Sequence, residues 1–246
     1  MKSQDEEWLL KEKYHGEKCE AFFADCERLA GGEPLGYVIG QVPFLDCVIH
    51  LDSKPLIPRV ETEFWVEKAI EEIRRVAPAA PRVLDLCAGS GCVGVAVGKA
   101  VPMAGVDFAE IDARHLPTIQ KNLSANHLDS HQHQIIQSDL FQNIPDKYNF
   151  ILSNPPYIDP ILDRTETSVK SHEPHLALYG GQHGLDIIKS IIAEAPTHLL
   201  PHGQLWLEHE PEQSPVIQTI GQQHGFKVNT HQDQYQVERY SVLVLQ

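Results

Sequence analysis

The sequence predicts an α/β fold, a doubly wound and mostly parallel sheet of seven strands preceded by a short helical segment and a β-hairpin. From residue 81 onward, short apolar runs typical of buried strands alternate with stretches of helical periodicity. A glycine-rich turn directly follows the first of these strands. The last two strands are joined by about ten residues without a helical pattern, so we expect the final strand to pair antiparallel.

The first 32 residues are predicted to form a short helical segment. Across residues 5–30, one face carries apolar side chains at helical spacing, namely Cys19, Phe22, Phe23, Cys26 and Leu29. A glycine pair at residues 31–32 ends this pattern. Because one or two helices of this size cannot form a core alone, we expect the segment to pack against another part of the chain.

Residues 33–60 are predicted to be a β-hairpin that links this segment to the main domain. Apolar and polar residues alternate at residues 47–52, and residues 52–54 have the composition of a turn. A helix is expected at residues 61–76, where the main domain of residues 61–246 begins.

Strands and helices alternate through the main domain. The strands are predicted at residues 82–86, 103–108, 134–137, 148–153, 204–208, 226–230 and 240–245. One helix is predicted to run up to residue 100, and others at residues 113–125, 185–200 and 215–224. The loop of residues 159–183 is long for a compact domain, and such loops are often functional.

Composition argues against several classes of protein. The chain has 246 residues and a net charge of −14, which is unfavourable for a large nucleic-acid surface. No apolar run approaches the ~20 residues that a membrane span requires. Five scattered cysteines without metal-ligand spacing, and a charged N-terminus without a signal peptide, are typical of a cytoplasmic protein.

Glycine or polar residues follow each of the first four strands of the main domain. Gly89 and Gly91 permit a tight turn close to a ligand. Asp107 is expected at the tip of the second strand, where it would accept hydrogen bonds from a ribose diol. Asp139 follows the third strand and Asn154 the fourth. The glycine spacing also fits a dinucleotide-binding turn, so by itself it leaves NAD open as the cofactor.

The stretch Asn154-Pro155-Pro156-Tyr157 indicates a chemistry. Two prolines stop the fourth strand, because neither can donate to a sheet ladder, and so place Asn154 just past its carboxyl end. Asn154 Oδ1 and the Pro155 carbonyl oxygen can each accept one N–H of a planar NH2 group, and the Tyr157 ring can stack on that group. These residues favour the acceptor site of an N-methyltransferase.

Several stretches resemble a known family. Residues 85–91 resemble the S-adenosylmethionine (SAM) loop of class I methyltransferases, and residues 154–157 are similar to the motif of their amino-methylating branch. Residues 33–40, 57–63 and 173–185 look like segments of the HemK/PrmC family of protein-glutamine methyltransferases. One departure is that the stretch after Asp107 is a few residues longer than the family pattern.

The resemblance implies a Rossmann-like class I methyltransferase domain that methylates N5 of a glutamine amide with SAM, leaving S-adenosylhomocysteine. The implied substrate is the Gly-Gly-Gln tip of a peptide chain release factor. Asn154, Pro155 and Tyr157 would be catalytic, and Pro156 would join them in binding the substrate. The implied cofactor contacts are Asp85, Cys87, Ala88, Gly89, Ser90, Gly91, Asp107, Phe108, Asp139, Leu140 and Asn154.

Other functions stay open at this point. The same chemistry would serve a nucleic-acid base such as adenine N6, or a ribosomal protein glutamine, and a non-catalytic SAM-binding protein is a further alternative. We expect no membrane partner and no direct nucleic-acid binding. No metal is expected, because His127, His131 and His133 lie in a polar loop without carboxylate or cysteine support. The charged residues at 59–63 are interpreted as a structural ion network, and those at 208–210 as a strand-end charge cluster. Contact with the substrate is the alternative for both groups.

Overall fold

The computed structural model describes residues 2–128 and 132–246. Its helices are α1 (Lys2–Glu12), α2 (Glu20–Ala30), α3 (Leu35–Ile39), α4 (Val60–Val76), α5 (Cys92–Ala100), α6 (Leu116–Ala125), α7 (Thr167–His172), α8 (Asp186–His198) and α9 (Ser214–Gln223). Its strands are β1 (Gln41–Phe44), β2 (Cys47–His50), β3 (Arg82–Leu86), β4 (Gly105–Glu110), β5 (His133–Gln137), β6 (Tyr148–Ser153), β7 (Leu199–Glu208), β8 (Phe226–Gln232) and β9 (Glu238–Leu245).

The large sheet contains seven strands in the order β5-β4-β3-β6-β7-β9-β8. β9 runs antiparallel to both of its neighbours, and the remaining pairs are parallel. The predicted mostly parallel sheet and its antiparallel final strand are therefore confirmed. The chain moves outward from β3 to β5 and then returns to place β6 beside β3. Ligands of such sheets bind at this switch point, outside the carboxyl ends of the strands.

Helices cover both faces of the sheet, and each face has its own apolar core. On one face, Trp65 of α4 and Val95 of α5 pack in a cluster with Phe108 of β4. On the other face, Ile188 of α8 packs in a cluster with Ile151 of β6. Strands buried on both sides read as continuous apolar runs, which is why β3 and β6 are recognisable in the sequence.

The helical segment expected at residues 5–30 consists of two helices, α1 and α2. The chain turns between them, with Gly16 at φ +89°. Their apolar faces meet α3 in a small separate core of Leu9, Phe22 and Val38. Asp25, inside this segment, accepts hydrogen bonds from Lys13, Tyr14 and Arg28.

The hairpin of β1 and β2 is attached to the main sheet through α6. Asn122 Oδ1 accepts a hydrogen bond from the His50 N–H at 2.7 Å, and Asn126 Oδ1 accepts one from the Val48 N–H at 3.1 Å. Both asparagine NH2 groups return a hydrogen bond to the carbonyl oxygen of the same hairpin residue. These amides occupy backbone groups of β2 that have no strand partner.

Several predicted elements have other bounds in the structure, and α6, for example, begins at Leu116 rather than at residue 113. β4 begins at Gly105 rather than Met103 and runs to Glu110, because its pairing with β3 sets Arg82 opposite Gly105 and Leu86 opposite Ala109. β7 begins at residue 199, earlier than expected. The loop after β6 contains the short helix α7. None of the helices in the described ranges has the length and apolar character to cross a membrane.

Candidate active site

Two adjoining cavities open at the switch point between β3 and β6. The smaller, of about 140 Å³, is lined by the glycine turn and by residues that follow β4 and β5. The larger, of about 690 Å³, is lined by the loop after β6 and the segment after β7. Leu56, Asn154 and Ala177 border both cavities. Two ligands, one in each cavity, would therefore meet at these residues.

The glycine turn is held open toward the smaller cavity. Cys87, Gly89 and Gly91 all have positive φ angles, of 63°, 55° and 76°. A Cβ added at Gly89 would meet no protein atom within 4 Å, so this position faces free space. The turn contains the predicted cofactor residues Ala88 and Ser90, both buried.

Asp85 supports this turn from inside the protein. Its carboxylate accepts a hydrogen bond from the Gly94 N–H of α5 at 2.8 Å, and the residue is 1% exposed. Burial raises the pKa of the Asp85 carboxyl to about 8, against the lowering effect of this hydrogen bond. Asp85 was predicted as a cofactor contact, but it does not line either cavity and instead ties β3 to α5.

Glu110, which was not among the residues predicted from the sequence, is the acidic side chain at the end of β4. Its Oε2 accepts a hydrogen bond from the Gly89 N–H at 2.7 Å, and its Oε1 accepts one from the Asp112 N–H at 2.8 Å. Glu110 and the next two residues border the smaller cavity. A carboxylate accepts up to four hydrogen bonds, so Glu110 keeps capacity for a ligand diol.

Asp107 does not occupy the expected position at the strand tip. It lies in the middle of β4, 3% exposed, and accepts hydrogen bonds from the Tyr148 hydroxyl at 2.8 Å and from Arg82 at 2.7 Å. Phe108 was predicted to contact the cofactor, but its ring is fully buried against Gly91 and Gly94 at the start of α5. Neither residue reaches a cavity, and the reason is that β4 extends two residues beyond its predicted end.

The turn after β5 has the predicted residues in place. Asp139 and Leu140 both border the smaller cavity. The Ser138 hydroxyl donates a hydrogen bond to the Leu140 carbonyl oxygen at 2.8 Å and accepts one from the Asn143 N–H. This bonding fixes the turn, in which Leu140 has φ +47°.

The four-residue stretch after β6 divides its side chains between the two cavities. Pro155 and Tyr157 face the larger cavity, Pro156 faces the smaller one, and Asn154 borders both. The preceding Ser153 donates a hydrogen bond to the Leu86 carbonyl oxygen at 2.7 Å, which joins the end of β6 to the end of β3. The structure thus brings this stretch next to the glycine turn, as the strand order predicts.

Glu208, interpreted from the sequence as part of a strand-end charge cluster, lies buried beside this stretch. Its Oε1 accepts a hydrogen bond from the Tyr157 hydroxyl at 2.9 Å. Its Oε2 accepts from Thr62 Oγ1 at 2.7 Å and from Trp65 Nε1 at 2.6 Å. Burial raises the pKa of the Glu208 carboxyl, and the three donors act in the opposite direction. Burial and the nearby Glu208 carboxylate raise the pKa of Tyr157 well above its usual value.

A salt bridge closes the site from the side of α4. The Glu173 side chain, 1% exposed, accepts a hydrogen bond from Arg59 at 2.5 Å and from the Ile57 N–H at 3.0 Å. Arg59 was expected to join an ion network at the start of the helix, and its partner proves to lie 114 residues away. This pair anchors the loop after β6 over the border of the two cavities.

The end of that loop is anchored by a second set of contacts. Gln213 Nε2 donates hydrogen bonds to the carbonyl oxygens of Tyr157, His183 and Gly184 at 2.8, 3.1 and 3.2 Å. A Cβ at Gly184 would collide with the Tyr157 carbonyl oxygen, which is why glycine is required there. The glycines at residues 180, 181 and 184 are a signal from which this close approach could have been inferred.

No cluster of metal ligands occurs within residues 2–128 and 132–246. His133 lies at the start of β5, where its Nδ1 contacts the Val106 backbone. His131 lies outside the described residues.

Comparison with known proteins agrees with this geometry. Residues 69–170 match the family model of the methyltransferase small domain. A release factor glutamine methyltransferase from Deinococcus radiodurans is 33% identical over 87% of this chain and 75% of its own length. One from Lactococcus lactis subsp. lactis is 31% identical over 94% of this chain and 84% of its own. A solved methyltransferase structure from Pyrococcus furiosus has the same fold, with a TM-score of 0.55 at 17% identity over 73% of this chain and 81% of that one.

Proposed function

Because the chain belongs to the family of release factor glutamine methyltransferases, we propose that it transfers the methyl group of SAM to N5 of a glutamine in a peptide chain release factor. The observation that carries this proposal is the position of Asn154 on the border of two cavities. One cavity has the features of a nucleoside site, and the other is large enough for a segment of protein.

The lining of the smaller cavity suits SAM, which supplies an electrophilic methyl group on a sulfonium. Gly89 leaves open space where any side chain would intrude, and its neighbours provide a turn that a ligand can approach closely. We assign the ribose hydroxyls to the Glu110 carboxylate, which borders this cavity and takes the role expected of Asp107. Cys87, Asp139 and Leu140 also line this cavity.

Asn154 and Pro155 hold the acceptor. An amide nitrogen is a poor nucleophile, because its lone pair is delocalised into the carbonyl group. Asn154 Oδ1 and the Pro155 carbonyl oxygen each accept one N–H of the glutamine NH2, which fixes the nitrogen and stabilises the positive charge that develops on it. Alignment of this kind supplies roughly 7–11 kcal/mol of the barrier reduction.

Tyr157 shapes the acceptor side of the site. Its hydroxyl is held by Glu208, so the ring forms a fixed wall of the larger cavity against which a flat amide can stack. The methylated nitrogen is acidic and loses its proton without a dedicated base. Pro156, on the other side of the chain, contacts the smaller cavity and separates the two ligands.

A protein substrate fits the larger cavity better than a nucleic acid. Its lining includes the carboxylates of Asp159, Glu166, Glu210 and Glu212, against two arginines. Arg59 and Arg164 are both engaged in salt bridges, so neither is free to bind a phosphate. The adenine N6 alternative would require a basic surface at this place.

The cysteines bear on the cellular location. All five are free thiols, which suits the cytoplasm as the site of action.

The test is methyl transfer from tritiated SAM to a purified release factor, with a variant whose Gly-Gly-Gln glutamine is alanine as the control. We expect label in the first protein and none in the second. Incubation with cell extract, followed by nuclease or protease, separates the alternatives. Label that disappears with nuclease would contradict a protein substrate, and label on a ribosomal protein alone would contradict the release factor.

A further inference from the structure

The Thr62 hydroxyl lies between Asn154 and Glu208. It donates a hydrogen bond to Glu208 Oε2 at 2.7 Å, and it accepts one from Asn154 Nδ2 at 3.2 Å. Thr62 and Glu208 are each 1% exposed, so water does not compete for these groups. The three residues come from α4, from the end of β7 and from the loop after β6.

The direction of these hydrogen bonds is fixed by chemistry. A hydroxyl has one hydrogen to donate. Glu208 Oε2 acts as an acceptor, because it also faces Trp65 Nε1, which can only donate. Because the Thr62 hydrogen points to Glu208, the oxygen of Thr62 can only accept from Asn154. The NH2 end of the Asn154 amide must therefore face Thr62, and its Oδ1 is left for another donor.

Glu208 is itself held by two further donors. Trp65 Nε1 donates to Oε2 at 2.6 Å, and the Tyr157 hydroxyl donates to Oε1 at 2.9 Å. Three donors satisfy the buried carboxylate and fix its plane. One carboxylate therefore sets the positions of both Asn154, through Thr62, and Tyr157, directly.

We propose that Thr62 and Glu208 are positioning residues that hold the Asn154 amide with its oxygen toward the glutamine acceptor. The inference rests on the proposed function, since the acceptor is an NH2 group. With the amide rotated by half a turn, the Asn154 NH2 would face the acceptor NH2, and two donors would oppose each other. The two hydrogen bonds of Thr62, which form a relay from Glu208 to Asn154, disfavour this rotated amide before the substrate binds.

Thr62→Val and Thr62→Ser are the matched pair that tests it. Valine has the shape of threonine without the hydroxyl, whereas serine keeps the hydroxyl. We expect Thr62→Val to lower kcat about tenfold, the loss of one hydrogen bond, while the KM for the release factor and the Kd for SAM stay within about twofold. Thr62→Ser should keep most of the turnover. Glu208→Gln, which can donate where the carboxylate only accepts, should lower kcat as Thr62→Val does.

A double variant separates positioning from a structural role. If Thr62 acts through Asn154, adding Thr62→Val to Asn154→Ala should lower kcat no further. A Thr62→Val enzyme with wild-type kcat, or a double variant whose losses multiply, would overturn the proposal. Loss of kcat in the serine variant equal to that in the valine variant would overturn it too.

A measurement without turnover keeps this inference distinct from the proposed function. The side-chain NH2 signals of Asn154 in a nitrogen-15 NMR spectrum should move in Thr62→Val and stay in place in Thr62→Ser. Unmoved signals in both variants would overturn the relay. If the wild-type protein transfers no methyl group to the release factor, the proposed function fails, and the NMR result alone decides whether the relay exists.

Discussion

The Glu110 carboxylate accepts a hydrogen bond from the backbone N–H of Gly89 at 2.7 Å. This contact joins the end of β4 to the glycine turn after β3, so the two parts of the smaller cavity form one rigid wall. A ligand that bridges them meets a carboxylate whose orientation is already fixed. Pre-organisation of this kind improves affinity, because less freedom is lost on binding.

Glu110→Ala should weaken SAM binding by about tenfold or more, since a hydrogen bond to a charged group contributes about 1.5–3 kcal/mol. Isothermal titration calorimetry measures this directly. The matched control is Asp107→Asn, which changes an acid of the same strand that does not reach the cavity. It should lower the free energy of unfolding by disturbing Arg82 and Tyr148, and leave the Kd for SAM within about twofold. Weakened SAM binding in Asp107→Asn, with normal binding in Glu110→Ala, would show that Asp107 rather than Glu110 binds the ribose.

The error over Asp107 shows what a single sequence lacks. The apolar pattern of a sequence predicts that a strand is present but not where it ends. The end of β4 is set by its register against β3. The sequence did hold a clue, since the stretch after Asp107 was a few residues too long for the resembled family. Moving the strand by two residues would have removed that excess and placed Glu110 at the tip.

The stretch at residues 154–157 was predictable for the opposite reason. Two consecutive prolines end a strand wherever they occur, so the position of Asn154 follows from covalent chemistry. Its support was not predictable, because Thr62 and Glu208 are 146 residues apart in sequence and meet only through packing of α4 against β7. The Arg59–Glu173 salt bridge was not predicted for the same reason, because its two residues are 114 positions apart in sequence.

Gly89→Val should abolish measurable SAM binding while the protein stays folded. A Cβ at Gly89 meets no protein atom, so the added side chain projects into the smaller cavity. The positive φ of Gly89 adds a local cost of about 1–2 kcal/mol to stability. Gly16→Val is a matched control, because Gly16 also has a positive φ and open surroundings but lies in the turn after α1. Gly16→Val should lose similar stability and bind SAM normally; normal binding by Gly89→Val would exclude the turn from the site.

His209 should make stability depend on pH in a defined window. Burial lowers the pKa of His209 to about 4, and its ring contacts the Ser241 hydroxyl and the Glu210 carbonyl oxygen. Between pH 6.5 and 4 the unfolded chain binds a proton at this residue that the folded chain does not. The free energy of unfolding should therefore fall as the pH drops through this range, by up to about 3 kcal/mol from His209.

Thermal unfolding of the wild type and His209→Gln at several pH values checks this expectation. Gln keeps a polar group near Ser241 but does not titrate. The difference in Tm between the two proteins should shrink, or change sign, as the pH falls from 6.5 to 4. A difference that is constant with pH would show that His209 does not resist protonation in the folded state.

Asn154→Ala should lower kcat by about 10²–10³, the effect of removing one preorganised polar group from an active site. The Kd for SAM should stay within about tenfold, because the proposed cofactor contacts at Gly89 and Glu110 are unchanged. Stability should change little, since the Asn154 side chain makes one hydrogen bond of 3.2 Å, to Thr62. Single-turnover methylation of the release factor measures the rate of methyl transfer, and calorimetry measures the Kd for SAM.

Asn154→Asp asks whether an acceptor oxygen alone is enough. The aspartate keeps an oxygen toward the substrate, but its second oxygen would face Thr62, whose single hydrogen already points to Glu208. Two acceptors would then oppose each other, and a second carboxylate would lie beside the buried Glu208. We therefore expect Asn154→Asp to be as slow as Asn154→Ala at neutral pH. Substantial activity in Asn154→Asp would show that the NH2 end of Asn154 has no role, and methyl transfer indifferent to both variants would remove Asn154 from the acceptor site.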